Sequence, residues 1–375
     1  MVAVAVLFAV YTVIYAGFIF YLIYGFQKVR MYDAADATPK TTFSIVVPFR
    51  TEEHNLPILL DSISRLEYPK ELFELIFIND ASEDFSENII TKWRLANGAF
   101  SSTMIDNIRL SGSPKKDAIS RAIPIVKGEF VITTDADCEL PPTWLTSFNS
   151  YILETSARMI AAPVHYGGTR SYLDHFQRLD FLSLQGVTIG SFGIHKPFMC
   201  NGANFAYSRK LFQELDGFTG VDNLASGDDV FLLQKALKQF PDEVSYLKSS
   251  GAIVKTQPAK TWTELFNQRV RWASKAVAYD IPFAENLALS TLLANFFIVI
   301  SVICMATDFF DWRLPLALFT LKLIPDWLML HQTNGFFKNS KTIFPVFAAL
   351  VYPFFVSVVA VWAIFGKYAW KGRRF

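Results

Sequence analysis

The chain begins with an apolar segment that is long enough to cross a membrane. No charged side chain occurs from Val2 to Tyr24, and Lys28 and Arg30 follow soon after. A helix rises about 1.5 Å per residue, so this segment can span a hydrocarbon core of about 30 Å. Because basic residues favour the cytoplasmic side, we expect residues 1–27 to anchor a cytoplasmic domain to the plasma (inner) membrane. The alternative is a cleaved signal peptide, but no basic residue precedes the run, which exceeds a usual signal core.

A second apolar region lies near the carboxyl end, over residues 286–366, and a basic tail follows at 367–375. Asn286–Ala306 and Thr342–Phe365 are candidate spans because each is apolar and close to the length that a bilayer requires. The sequence therefore predicts a carboxyl-terminal membrane region with two or three transmembrane helices.

Leu314–Leu330 is the weakest candidate span because it is shorter and contains Lys322, Pro325 and Asp326. If it also crosses, three spans would place the basic tail outside, against the tendency of basic residues to stay in the cytoplasm. Three alternatives stay open: this segment does not cross, one segment is re-entrant, or the charge tendency fails here.

Composition agrees with a protein that lies partly in lipid. Hydrophobic residues make up 52% of the 375 residues and charged residues only 18%, whereas about a quarter of the residues in a soluble domain are charged. The net charge of +1 argues against a nucleic-acid-binding protein. The three cysteines are too few and too scattered for a disulfide framework or a zinc site, which fits a reducing, cytosolic compartment.

Residues 41–280 are predicted to form one α/β domain. Short apolar runs at Phe43–Pro48, Phe73–Ile78 and Phe130–Thr134 alternate with helix-like stretches. This alternation is typical of a largely parallel sheet covered on both faces. Polar residues follow the ends of these runs, and ligands bind at the carboxyl ends of the strands in open α/β sheets.

The triplet Asp135-Ala136-Asp137 directly follows the third apolar run. Two carboxylates one residue apart at a strand end can both reach a hard cation. Mg²⁺ and Mn²⁺ prefer oxygen ligands and share them with substrate phosphates. Asp135 and Asp137 are therefore predicted to bind a divalent metal, although an acidic turn alone is a common feature.

Three further features are candidates for nucleotide binding. Asp80 ends the second apolar run and Glu52 follows the first, and each could equally be an ordinary turn or helix-start acid. The pair Lys115-Lys116 stands at a predicted helix start, where lysine opposes the helix dipole, so a phosphate ligand would explain it. A solvated lysine pair is the alternative.

Gly227-Asp228-Asp229 opens an amphipathic stretch from Val230 to Leu237. A helix cap needs only one acid. The second acid could serve as a general base that takes a proton from an acceptor hydroxyl.

Gln268, Arg271 and Trp272 are spaced to lie on one face of a helix. The arginine fork suits a diphosphate, and the tryptophan ring could stack under a sugar. An interfacial basic-aromatic helix is the alternative interpretation.

This ordered set resembles the membrane-associated family 2 glycosyltransferases, which have a GT-A fold (a Rossmann-like, nucleotide-diphospho-sugar transferase domain), here flanked by transmembrane helices. The resemblance runs from about residue 43 to residue 272, with Thr51 where asparagine is usual before the acid. It implies nucleotide binding by Glu52, Asp80 and Lys116, and donor and metal binding by Asp135 and Asp137. Asp229 is implied as the base beside Asp228, and Gln268, Arg271 and Trp272 match the terminal motif.

The resemblance implies a metal-dependent, inverting transfer from a nucleotide-diphospho-sugar to a membrane lipid or lipid-linked glycan. A processive polysaccharide synthase shares the terminal motif, but such enzymes usually need a larger membrane channel. A catalytically silent membrane protein that binds nucleotide sugars is a third hypothesis. The sugar, the acceptor and the oligomeric state are left open.

Overall fold

A computed structural model describes residues 2–34, 37–168, 171–222, 226–274, 281–338, 346–366, 369–370 and 373–374. The chain divides into two compact units. The sheet unit comprises residues 30–167 and 198–257, and the helical unit comprises residues 1–29, 168–197 and 258–375.

A seven-stranded mixed sheet forms the centre of the sheet unit. Its strands are β1 (Phe43–Phe49), β2 (Phe73–Asn79), β3 (Ser101–Asp106), β4 (Phe130–Thr133), β5 (Met159–Ala161), β7 (Phe205–Ser208) and β8 (Val244–Tyr246). Their order across the sheet is β3-β2-β1-β4-β7-β5-β8. β7 runs antiparallel to both of its neighbours, and the other described pairs are parallel. A separate pair consists of β6 (Val164–Tyr166) and β9 (Val254–Thr256).

The sheet unit also contains α2 (Leu56–Ser64), α3 (Ser86–Ala96), α4 (Pro114–Ala122), α5 (Trp144–Thr155), α7 (Arg209–Glu214) and α8 (Asp228–Gln239). All residues of β2 and β4 are buried, because helices cover both faces of such a sheet. The three predicted apolar runs are confirmed as β1, β2 and β4. The helix-like stretches predicted between these runs are confirmed as α2, α3 and α4.

Among the described residues, the helical unit contains six helices: α1 (Val2–Lys28), α6 (Tyr172–Gly193), α9 (Trp262–Ala273), α10 (Pro282–Ala306), α11 (Arg313–Phe336) and α12 (Val346–Phe365). Two short strands, β10 (Ala369–Trp370) and β11 (Arg373–Arg374), also lie there. In the part of the chain that the structure describes, four helical segments are long and apolar enough to cross a membrane: Val2–Lys28, Pro282–Ala306, Arg313–Phe336 and Phe347–Phe365. Residues 342–345 of one predicted span and much of the predicted tail lie outside the described residues.

The weakest predicted span, Leu314–Leu330, is part of α11, which is 24 residues long. Its two charged residues neutralise each other, because the Lys322 ammonium donates to Asp326 one turn later. The Tyr15 hydroxyl of α1 also donates to Asp326, at 2.5 Å. Ionisable groups inside membrane segments usually pair in this way.

Helices α1 and α6 meet backbone to backbone at glycines. A methyl group added to Gly25 of α1 would lie 2.1 Å from the carbonyl oxygen of Gly190 in α6. A methyl group added to Gly193 would lie 1.8 Å from the carbonyl oxygen of Gly25. Small residues permit this approach between helices, as they do in membrane helix pairs generally.

Gly25→Ala is therefore expected to destabilise the protein by about 1–3 kcal/mol, since overpacking forces the backbones apart. The measurement is the midpoint of thermal unfolding in detergent. Gly17→Ala is the matched control on the same helix, because no atom lies within 4 Å of a methyl group added at Gly17. Equal midpoints for the two variants would contradict the glycine contact.

Candidate active site

The carboxyl ends of β1, β2 and β3 lie level with one another at one edge of the sheet. Phe49 pairs with Asn79, and Asn79 pairs with Asp106. The residues that follow these strands therefore come together, as the alternation of strands and helices predicted.

Asp80 follows β2 and is 7% exposed. Its Oδ1 accepts hydrogen bonds from Arg109 Nε at 3.0 Å and from Asn107 Nδ2 at 2.9 Å. Arg50 Nη1 donates to the carbonyl oxygen of Asp80 at 2.8 Å. The side chain is thus held by residues that follow β3, and the backbone carbonyl by a residue that follows β1. Sequence reasoning missed Arg109, because β3, the strand before it, was not predicted.

Glu52 lies in the loop after β1. Its backbone N–H donates to Ser86 Oγ at 2.7 Å, and its Oε2 accepts from Asn55 at 2.6 Å. Thr51 before it has φ 52°, a left-handed conformation that strains a β-branched residue. Asparagine tolerates this conformation better, which explains why asparagine suits this position in proteins with the same loop.

Lys115 joins two of the predicted acidic groups. Its ammonium donates to Asp135 Oδ1 at 2.7 Å and lies 3.3 Å from Asp228 Oδ2. Burial alone would lower the pKa of Lys115, but Asp135, Asp228 and Asp229 together raise the pKa well above its usual range. The lysine is therefore a permanent cation among carboxylates from separate parts of the chain.

Asp229 is anchored by backbone N–H groups. Its Oδ2 accepts from Gly202 N and its Oδ1 from Val230 N, each at 2.8 Å. Gly227, immediately before α8, has φ 84°, a conformation that favours glycine. These two hydrogen bonds hold the carboxylate of Asp229 in position.

Gly202 allows the loop before β7 to approach this cluster closely. A methyl group added there would lie 3.0 Å from Asp228 Oδ2 and 3.1 Å from Lys115 Nζ. Thr133 Oγ1 at the end of β4 donates to the carbonyl oxygen of Gly202 at 2.8 Å. The end of β4, this loop and the start of α8 are thereby tied together.

Lys116, the lysine singled out by resemblance, makes different contacts. Its side chain is 1% exposed, donates to the carbonyl oxygen of Val221 and lies 4.9 Å from the ring centroid of Phe231. Of the two lysines, Lys115 is the one that contacts Asp135 and Asp228.

The donors at the predicted metal site are hard. Asp135 and Asp137 are partly exposed and supply carboxylate oxygens, which suit Mg²⁺ or Mn²⁺. Burial, then Asp137 and Asp135, raises the pKa of the Cys138 thiol, so this neighbour stays protonated and offers no thiolate ligand. Among the described residues no group of three His, Cys, Asp or Glu side chains could hold a metal. Two carboxylates therefore fit a cation that takes its other ligands from phosphate and water.

The predicted motif in the helical unit lies on α9, as its spacing indicated. Gln268, Arg271 and Trp272 are all partly exposed. Arg269, between them, is 6% exposed and forms a salt bridge with Asp180 of α6 at 2.5 Å. Sequence reasoning missed Asp180, because nothing in the sequence shows which residue faces Arg269.

Known proteins share the central part of this chain. Residues 44–216 match the model of glycosyl transferase family 2. The chain contains a family 2 glycosyltransferase domain. The predicted family, α/β fold class and enzyme class are thereby confirmed.

Two curated relatives are similar to this glycosyltransferase. The probable glycosyltransferase YdaM of Bacillus subtilis (strain 168) is 23% identical over 303 residues, covering 78% of this chain and 68% of YdaM. The undecaprenyl-phosphate 4-deoxy-4-formamido-L-arabinose transferase of Shewanella sediminis (strain HAW-EB3) is 34% identical over 100 residues, covering 26% of this chain and 29% of that protein.

One solved structure shares the fold over nearly the whole glycosyltransferase. It is the mannosyltransferase PcManGT from Pyrobaculum calidifontis in complex with GDP-Man and Mn²⁺. The TM-score is 0.62 at 16% identity, and the match covers 97% of this chain and 98% of that chain. This likeness supports the GT-A fold, and the low identity restricts it to the fold.

Proposed function

We propose that this protein is a membrane-bound, inverting glycosyltransferase that moves a sugar from a nucleotide-diphosphate donor to a lipid or lipid-linked acceptor. The observation that carries the proposal is the charged cluster in which Lys115 bridges Asp135 and Asp228 beside the anchored Asp229. Such a cluster places a fixed cation and a carboxylate base together, as displacement of a diphosphate requires.

The donor is proposed to bind at the carboxyl edge of the sheet. Asp80 and Glu52 would hold the nucleoside, and Lys115, rather than Lys116 alone, would face its diphosphate. The motif residues Gln268, Arg271 and Trp272 are also proposed to take part in donor binding. Asp135 and Asp137 would hold Mg²⁺ or Mn²⁺, which when bound supplies positive charge for the departing nucleoside diphosphate.

Asp229 is proposed to act as the general base. It would take the proton of the acceptor hydroxyl while that oxygen attacks the anomeric carbon from the side opposite the diphosphate. The new glycosidic bond forms as the bond to the diphosphate breaks, and the configuration inverts. Two backbone N–H donors fix the position of the Asp229 carboxylate, as a positioned general base requires.

The acceptor is proposed to be a lipid or a lipid-linked glycan in the plasma membrane, with the sheet unit in the cytoplasm. Four helices of membrane-spanning length and composition support this location. The similarity to an undecaprenyl-phosphate sugar transferase supports a lipid or lipid-linked acceptor.

The test is a screen of the purified protein in detergent against a panel of nucleotide sugars with membrane lipid extract, read by mass spectrometry. We expect one lipid to gain the mass of a single sugar. The product should disappear in excess EDTA and return with Mn²⁺ or Mg²⁺. A ladder of products would indicate a processive synthase, full activity in EDTA would remove the metal, and no nucleotide release with any donor would contradict the proposal.

A further inference from the structure

Helix α6 lies against the segment that leads into α9. Gln177 of α6 donates through Nε2 to the carbonyl oxygen of Ala259 at 3.0 Å, and its Oε1 accepts from the N–H of Ala259 at 2.9 Å. Thr261 then caps α9 by accepting from the N–H of Glu264 at 3.1 Å. The start of α9 is therefore fixed relative to α6.

One turn further along α6, Asp180 pairs with Arg269 of α9. Both residues are nearly buried, at 7% and 6% exposure, and their charged atoms lie 2.5 Å apart. Buried ion pairs contribute little net stability, and their best-attested role is to select one arrangement of the chain.

Arg269 also contacts two residues of the motif, Gln268 and Trp272. Its Nη1 donates to Gln268 Oε1, and its guanidinium carbon lies 4.3 Å from the ring centroid of Trp272. Phe181, next to Asp180, contacts Trp272, and the centroids of the two rings lie 6.1 Å apart. The carboxylate of Asp180 thus orients a guanidinium that in turn holds an amide and an indole.

We propose that Asp180 is a positioning residue for transfer, acting through Arg269 to set the orientation of Gln268 and Trp272. This inference rests on the proposed function, because that function includes the role of the motif in donor binding. Without the carboxylate, the Arg269 cation loses its partner in a nearly buried position. The guanidinium would then turn toward water or another acceptor. Gln268 and Trp272 would lose the contacts that fix their orientation.

The first test needs no substrate. Protein carrying 5-fluorotryptophan at its eight tryptophans is examined by ¹⁹F NMR in detergent, and Trp272→Phe assigns the resonance of Trp272. We expect Asp180→Asn to move or broaden that resonance. Asp326→Asn is the matched control, since it removes a partly buried carboxylate that contacts Tyr15 and Lys322. An unmoved Trp272 resonance in Asp180→Asn, or an equal change in the control, would overturn the proposal.

The second test measures transfer with the best donor from the nucleotide-sugar panel, per mole of folded protein. Asp180→Asn should lower kcat/KM at least tenfold, Asp180→Glu should recover part of that loss, and Asp326→Asn should stay within twofold. If Asp180→Asn does not fold, Arg269→Lys tests the same contact, because lysine keeps the charge but loses the fork of donors. Values within twofold for the variants that break the contact would overturn the proposal. If the wild type transfers no sugar, the proposed function fails, whereas the NMR test still decides whether Asp180 orders Trp272.

Discussion

Replacement of Asp229 by asparagine is expected to lower kcat roughly 10²–10⁴-fold, the usual contribution of a positioned general base. The amide cannot take the proton of the acceptor hydroxyl, whereas the donor should still bind. Its oxygen can accept from only one of the two N–H groups, of Gly202 and Val230, that Asp229 holds at 2.8 Å. We therefore also expect a loss of stability of about 1–3 kcal/mol, the cost of an unsatisfied donor.

Steady-state kinetics, together with calorimetric titration of nucleoside diphosphate, separates these effects. Asp228→Asn is the matched control, because it removes the same charge one residue earlier, where the carboxylate lies 3.3 Å from Lys115. Its loss of kcat should be at least tenfold smaller. Nucleoside diphosphate affinity falling as far as kcat in Asp229→Asn, or equal losses in the two variants, would contradict the assignment of the base.

Replacement of Lys115 by methionine should have the second-largest effect. It removes the cation between Asp135 and Asp228 at nearly constant side-chain length. We expect at least a tenfold loss of affinity for nucleoside diphosphate. In contrast, half-maximal binding of Mn²⁺ should move to a lower concentration, because Asp135 no longer shares its charge with an ammonium. Titration of each ligand alone measures both effects.

Lys116→Met is the control for this experiment. The Lys116 side chain is 1% exposed and contacts Val221 and Phe231, so its loss should mainly lower the unfolding temperature. A larger loss of nucleotide affinity in Lys116→Met than in Lys115→Met would restore the assignment made from the motif.

Much of the sheet could be predicted from the sequence, because its central strands are buried on both faces and are therefore continuously apolar. The runs that became β1, β2 and β4 are of this kind. β3 escaped notice because its residues are only partly buried or exposed. An edge strand of this kind lacks the apolar signal that identifies a central one.

The partners of the charged groups could not be predicted, since they depend on which helix faces meet. Lys115 and Lys116 are adjacent, and successive residues on a helix point about 100° apart. Only the packing of α4 decides which of them faces Asp135. Likewise, Lys322 and Asp326 make Leu314–Leu330 the weakest predicted span. The sequence does not show that Asp326 contacts both Lys322 and Tyr15. The placement of α6 with the helical unit was also not indicated by any pattern.

The glycine contact between α1 and α6 has a consequence for biogenesis. During translation, Gly25 is synthesised long before Gly190 and Gly193. Helix α1 therefore has no surface to pack against until α6 has been made. An unrelated apolar helix in place of α1 should still direct the protein to the membrane. That helix would lack the glycine surface against which α6 packs. The chimaera should therefore reach the membrane correctly but fold poorly.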